Sequence, residues 1–217
     1  MVYGVLFMIN FAHGEVFMFG AFGAFFFSDA WEASGFLDSN PILSMGLLLV
    51  IAMLTSMGVA VLLERIAYRP LRNAPRLVPL ITAIGASLFL ANTARGFFGA
   101  QSRGFGVPSA LEGTWTILGV SVDRIQVVVL LTVIIAVTAL SLFVSRTTTG
   151  KSMRAVAADS EIASLMGIRV DRVIVTTFAI GGLLAGIAAV LFAMTFESVS
   201  FTMGFRPGIA AFTAAVL

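Results

Sequence analysis

Apolar positions along this chain fall into long unbroken runs, unlike the half-polar stripes of surface helices on a water-soluble globule. Three runs, Pro41 to Leu63, Ile125 to Ser145 and Val173 to Phe196, approach the roughly 20 residues needed to cross a bilayer core, and each predicts a spanning helix. Leu77 to Phe98 is a fourth candidate of mixed character. It carries Pro79 near its start and then Thr82, Ser87, Asn92 and Arg95, which predicts a helix that turns toward protein or water. Met1 to Phe27 is too long for one upright helix and is interrupted by Asn10, His13, Gly14 and Glu15, so either two spans meet there or one helix breaks. Pro207 to Leu217 is too short to cross and reads as the front of a further span. The expectation is an all-α integral membrane protein, a polytopic bundle of about six hydrophobic segments in one transmembrane domain over residues 1–217.

The polar connections alternate in charge. Ser28 to Asn40 holds Asp29, Glu32 and Asp38 with no basic residue, whereas Glu64 to Arg76 contains Arg65, Arg69, Arg72 and Arg76. Arg95 to Arg124 is mixed and rich in Gly, Ser and Pro, and Arg146 to Arg172 holds Arg146, Lys151, Arg154, Arg169 and Arg172. Basic loops stay on the cytoplasmic side, so the second and fourth of these loops are expected inside and Ser28 to Asn40 outside, with Glu197 to Arg206 outside again. Within the last basic loop, Ala155, Ala158, Ile162, Leu165 and Met166 follow helical spacing while Asp159, Ser160 and Glu161 fill the remaining arc. This predicts one short amphipathic cytoplasmic helix over 152–167, capped by Ser152 and ended by Gly167. Such a helix either lies on lipid headgroups or docks a cytoplasmic partner.

Composition removes most other functions. Charged residues make up 11% of the chain, against roughly 25% in an ordinary soluble domain, so lipid is the expected solvent of most side chains. The absence of cysteine excludes disulfides, thiolate metal sites and cysteine nucleophiles, and the single histidine excludes a multi-histidine metal site, so neither metal nor cofactor is expected. A formal charge of +2 is too small to argue for nucleic acid. The Gly-x-x-x-x-Gly-Lys-[Ser/Thr] run of an ATP-binding loop is missing, so the chain is not expected to be an enzyme or an ATPase. Both ends fall inside apolar runs and no signal peptide precedes the first, which predicts an internal fragment of a longer protein.

Two clusters carry candidate chemistry. Ionisable groups at membrane depth are costly, so His13 and Glu15 should face protein or water and have partners, with Asn10 and Gly14 beside them. A helix break there would free backbone groups for a substrate's ammonium or carboxylate, and a tight turn at the inner surface is the alternative. On Leu77 to Phe98, Gly85, Asn92 and Gly96 share one helical face that either lines a pathway or packs against a neighbour, packing being preferred; Gly182 and Gly186 form a small-residue packing pair. An intramembrane enzyme using His13 and Glu15 as acid and base lacks a nucleophile or a second metal ligand nearby.

Glu161-Ile162-Ala163-Ser164-Leu165-Met166-Gly167 resembles the Glu-Ala-Ala-x-x-x-Gly loop of ATP-binding-cassette importer permeases, with Ile162 in place of alanine and the downstream Ile-x-Leu-Pro ending absent. Together with Ile9-Asn10-Phe11-Ala12-His13-Gly14-Glu15, Glu64-Arg65-Ile66-Ala67-Tyr68-Arg69-Pro70-Leu71-Arg72, Thr149-Gly150-Lys151-Ser152-Met153-Arg154-Ala155 and Gly167-Ile168-Arg169-Val170-Asp171-Arg172-Val173-Ile174, it is similar to the branched-chain amino-acid importer permease family, "H" type, over essentially the whole chain. The resemblance implies a permease subunit that moves amino acids across a bacterial inner membrane. Its implied partners are two cytoplasmic ATP-binding subunits, a second related permease and a periplasmic substrate-binding protein. Glu161, Ala163, Leu165 and Gly167 would form the loop that couples to the ATPase, with Ala163 and Leu165 as anchors. Urea or amides are alternative substrates within the same family, and an ATP-independent secondary transporter is the alternative mechanism.

Overall fold

Long apolar runs fold as single helices, and the polar interruptions fall between them. In a computed structural model the described residues are 10–71, 74–75, 77–117 and 120–216; the expected features at Met1 to Ile9, Arg72, Arg76 and Leu217 lie outside them. The helices are α1 (His13–Ala33), α2 (Phe36–Ser39), α3 (Pro41–Leu63), α4 (Leu77–Phe98), α5 (Arg124–Arg146), α6 (Thr148–Ala158), α7 (Ser160–Leu165), α8 (Val170–Phe196) and α9 (Phe205–Val216). Among the described residues, four helices are long and apolar enough to cross a membrane: Pro41–Leu71, which carries α3 on through a π turn and a 3-10 turn, Leu77–Phe98, Arg124–Arg146 and Val170–Phe196. The chain is an all-α multi-pass membrane protein, and the starts and ends of α3 and α4 coincide with those the sequence predicts.

The centre of the bundle is the packing of α1, α3 and α8. Lipid tails are as apolar as leucine, so helices associate there by close fit and by hydrogen bonds, which favours small residues at their contacts. A Cβ on Gly186 would fall on the Ala52 carbonyl of α3, and one on Gly182 would press on Met57 and Ala60. Gly20 of α1 meets Ser56 in the same way. The Ser56 hydroxyl donates to the Val16 carbonyl across 3.1 Å, so a polar side chain on α3 is satisfied by the backbone of α1. Gly182 and Gly186 are therefore a packing pair.

Two helices stand apart from this centre. No residue of α5 is buried, and α4 buries only Pro79, Ala83 and Ala94. The inner face of α4 runs along α1 through small residues, and its far end is fastened by Phe98, whose ring stacks on Phe22 at 4.4 Å between centroids.

The connections segregate by charge. At one end an ion pair joins Arg69, past the end of α3, to Asp171 at the start of α8. At the other, β1 (Arg103–Gly104) pairs antiparallel with β4 (Ser198–Val199), and β2 (Thr114–Ile117) with β3 (Val120–Asp123) in a hairpin. The Ser28 hydroxyl donates to Gly106 O and the Ser109 amide donates to Asp38, tying the acidic first loop to this strand region. These short strands are absent from the sequence-based expectation, since two to four residues leave no legible alternation.

The amphipathic segment corrects the expectation of one helix over 152–167. It forms two helices, α6 and α7, broken at Asp159 in extended conformation. Ser152 is not the cap: the Thr147 hydroxyl accepts from Gly150 N to begin α6. The Asp159 carboxylate accepts from the amides of Glu161 and Ile162 to begin α7, because a short acceptor side chain satisfies the free amides of a first turn. Gly167 does end the segment, at φ 84°.

Candidate functional site

α1 starts in the middle of the polar cluster. The His13 amide donates to Asn10 O at 3.2 Å, and those of Glu15 and Val16 donate to Ala12 O, so Asn10 to Ala12 form the turn from which the helix rises. Glu15 falls in the first turn, where the positive end of the helix dipole favours a carboxylate. Its side chain is buried, and its Oε1 accepts from the Ser87 hydroxyl of α4 at 3.1 Å. Its second oxygen, Oε2, has no hydrogen-bond partner among the described residues, and neither has the buried Nδ2 of Asn10. Asn10 Oδ1 accepts from the Tyr68 hydroxyl at 2.8 Å.

Tyr68 is buried in the π turn Glu64–Tyr68, with its ring against Phe178 of α8 at 5.3 Å. Such wide turns are rare and concentrate at functional positions. The hydrogen bond from Ser56 fixes Val16 at the level of Ser56, and the helical rise from Ser56 to Arg65, the first basic residue of the loop, is about 13 Å. The turn at Asn10 to Ala12 precedes Val16 by four to six residues and so lies nearer that basic loop, where Asn10 meets Tyr68 beside Arg69.

The last helix meets the same point. A Cβ on Gly14 would fall on the Gly204 carbonyl, with Gly208 next to it. The rings of Phe11 and Phe212 pack at 5.3 Å. The starts of α1 and α9 therefore abut, and glycine at both positions lets the backbones touch. Of the predicted site residues, the structure gathers Asn10, Gly14 and Glu15 and adds Tyr68 and Ser87. His13 stands beside them, half-buried, with no ring hydrogen bond among the described residues. Asn92 is apart, exposed on the far face of α4 with its Nδ2 donated to Leu88 O of its own helix. Gly85 and Gly96 on that face have nothing within 4 Å, so the preferred packing role finds no partner among the described residues.

The second candidate site is the α6–α7 elbow. Ala163 is buried against Met153, Val156 and Val173, which corrects its expected role as an outward anchor. The exposed apolar side chains are Ile162, Leu165 and Met166, Leu165 being 83% exposed. Glu161 is exposed beside them. Gly167 turns the chain back so that the Ile168 amide donates to Ala163 O. Tyr68 and Ser87 were missed as site residues: Tyr68 lies just past an apolar run and Ser87 in the middle of one, and their partners lie 58 and 72 positions away.

Residues 1–217 match the protein family described as "Branched-chain amino acid transport system / permease component". The chain is 39% identical over 222 residues to the high-affinity branched-chain amino acid transport system permease protein BraD of Pseudomonas aeruginosa, covering 100% of this chain and 71% of that protein. The same identity and coverage hold for the proteins named LivH in Salmonella typhimurium and Escherichia coli. No solved structure matches this chain.

Proposed function

The chain belongs to the permease family of branched-chain amino acid transport systems, and from that membership we propose that it carries branched-chain amino acids across a bacterial inner membrane, driven by two cytoplasmic ATPase subunits. It is a multi-pass subunit of an ATP-binding-cassette importer and has no ATPase site of its own. A second, related permease would complete the pathway, and a periplasmic binding protein would deliver the substrate at the acidic end of the bundle.

The observation that carries the coupling part of this reading is the elbow of α6 and α7. Its buried side, Ala163 with Met153, Val156 and Val173, fixes it to the start of α8. Its outer side presents Ile162, Leu165 and Met166 to water at the basic end. A short helix with an apolar outer face suits a groove on a partner. Motion of that partner would pass directly into α8, which packs on α1 and α3 at the centre of the bundle. In this reading the turn before His13, with Asn10, Gly14 and Glu15, belongs to the translocation pathway.

Reconstitution with the cognate ATPases tests the proposal: substrate-stimulated ATP hydrolysis should accompany branched-chain amino-acid uptake, and uptake that persists without ATPase subunits would overturn it. The sidedness is tested separately. Since the chain has no cysteine, single cysteine probes at Ser39 and Ser164 should label from opposite sides of the membrane, and labelling from one side would overturn the arrangement.

A further inference from the structure

We infer that Glu15 selects for the ammonium group of the transported molecule, with Ser87 holding its carboxylate between transport events. This rests on the amino-acid transport proposed above. Glu15 is 5% exposed, its Oε1 is engaged by Ser87 and its Oε2 has no partner among the described residues. The ion pair found among the described residues is Arg69 with Asp171, at the basic end, so no cationic side chain there neutralises Glu15. A carboxylate within a membrane bundle requires a partner charge or donors. An α-amino acid brings that charge with it. Urea and simple amides bring donors without charge, so the same oxygen holds them more weakly.

The other end of the molecule finds a complement in the same place. Asn10, whose carbonyl accepts from the His13 amide, sits in the turn immediately before Glu15, and its buried Nδ2 is a donor without a partner. One open acceptor and one open donor match in kind the ammonium and the carboxylate of a zwitterion. Access depends on α4. This helix touches α1 and joins the core through Ala83, Ala86, Leu90 and Ala94, mostly small residues, and its far end is held by Phe98 among Phe19, Phe22 and Phe26. A swing of its near end about that aromatic cluster would break the Ser87 to Glu15 hydrogen bond and is the movement by which Oε2 would be reached.

The test uses the full-length membrane complex of permeases and ATPases without the soluble binding protein. Saturation-transfer NMR compares L-leucine with its hydroxy-acid analogue, which has a hydroxyl in place of the ammonium. The wild-type complex should prefer leucine by about tenfold, the size of one charge-assisted hydrogen bond. Glu15→Gln should bring leucine down to parity with the analogue while the analogue's own signal is retained, which also shows that the variant is folded. Ser87→Ala should keep the preference, because Ser87 holds the carboxylate only between events. Equal binding of the two compounds by wild type, an unchanged preference in Glu15→Gln, or loss of both signals in that variant would each overturn the inference. Leucine uptake by the complete wild-type transporter separates the two readings: its absence sinks the transport proposal, and its presence with an unchanged Glu15→Gln preference sinks this inference alone.

Discussion

Leu165→Glu separates docking from folding. Leu165 is 83% exposed and Met166 78%, so neither contributes to the packing of the isolated chain, and surface substitutions of this kind stay within about 0.5 kcal/mol of wild-type stability. On docking, the same leucine would be withdrawn from water almost completely. Full burial of a leucine side chain is worth about 2 kcal/mol, so Leu165→Ala should weaken ATPase binding by roughly thirtyfold, and Leu165→Glu, which places a charge in an apolar groove, should weaken it further. Ala163→Glu behaves differently because Ala163 is buried against Met153, Val156 and Val173; it should lower the thermal stability of the permease as well as ATPase binding. The assay is affinity of the detergent-solubilised permease for its ATPase, beside a thermal melt of each variant. Undiminished ATPase affinity in Leu165→Glu, with the permease folded, would refute docking through this face and return the elbow to the lipid surface.

Gly186→Val should destabilise the bundle by about 1–3 kcal/mol, since its Cβ would meet the Ala52 backbone, which cannot move aside; Gly46→Ala, inside α3 with nothing within 4 Å, should keep or raise the melting temperature. Gly167→Val should cost about 1–2 kcal/mol because φ is 84° there, and ATPase-coupled uptake should fall with membrane expression intact, while Gly167→Asn should be milder. The Ser109 amide holds the Asp38 carboxyl below its ordinary value of 3.8. A depressed carboxyl stabilises the fold above its unfolded-state value and loses that effect as pH falls through the lower folded one, so the tie between Asp38 and Ser109 should persist at neutral pH and release only in stronger acid. Amide exchange at Ser109 should report this, and Asp38→Asn should abolish the pH dependence.

What was legible in the sequence follows from the range of the forces involved. Spans were readable because burial in lipid needs only a long apolar run, and Pro41 marks the start of α3 by its fitness for the first helical position. The turn before His13 showed itself as polar residues inside such a run. Partners were not readable: Tyr68 reaches Asn10 and Ser87 reaches Glu15 across 58 and 72 positions, distances over which no periodicity carries information. Ala163 was read as an anchor from the resembling loop and not from the apolar stripe, which omits it; it lies seven positions after Val156, and on a helix that spacing shares the buried face. Asp159 restarts the helix; the signal, an aspartate before Ser-Glu, was present but competed with an apparently regular apolar stripe.

The π turn at Glu64–Tyr68 has a consequence for length as much as for chemistry. A wide turn holds one residue more than an α turn, so the chain beyond it is out of phase with α3 by about 100°. Inserting a single residue after Ile66, as an ordinary α-helical step, would swing every side chain after it by that angle. Tyr68 would leave Asn10 and Arg69 would leave Asp171, although neither had been substituted. The linkage between α1 and the basic loop is in this sense counted out along the chain, and a one-residue change in spacing cuts it as surely as removing the tyrosine.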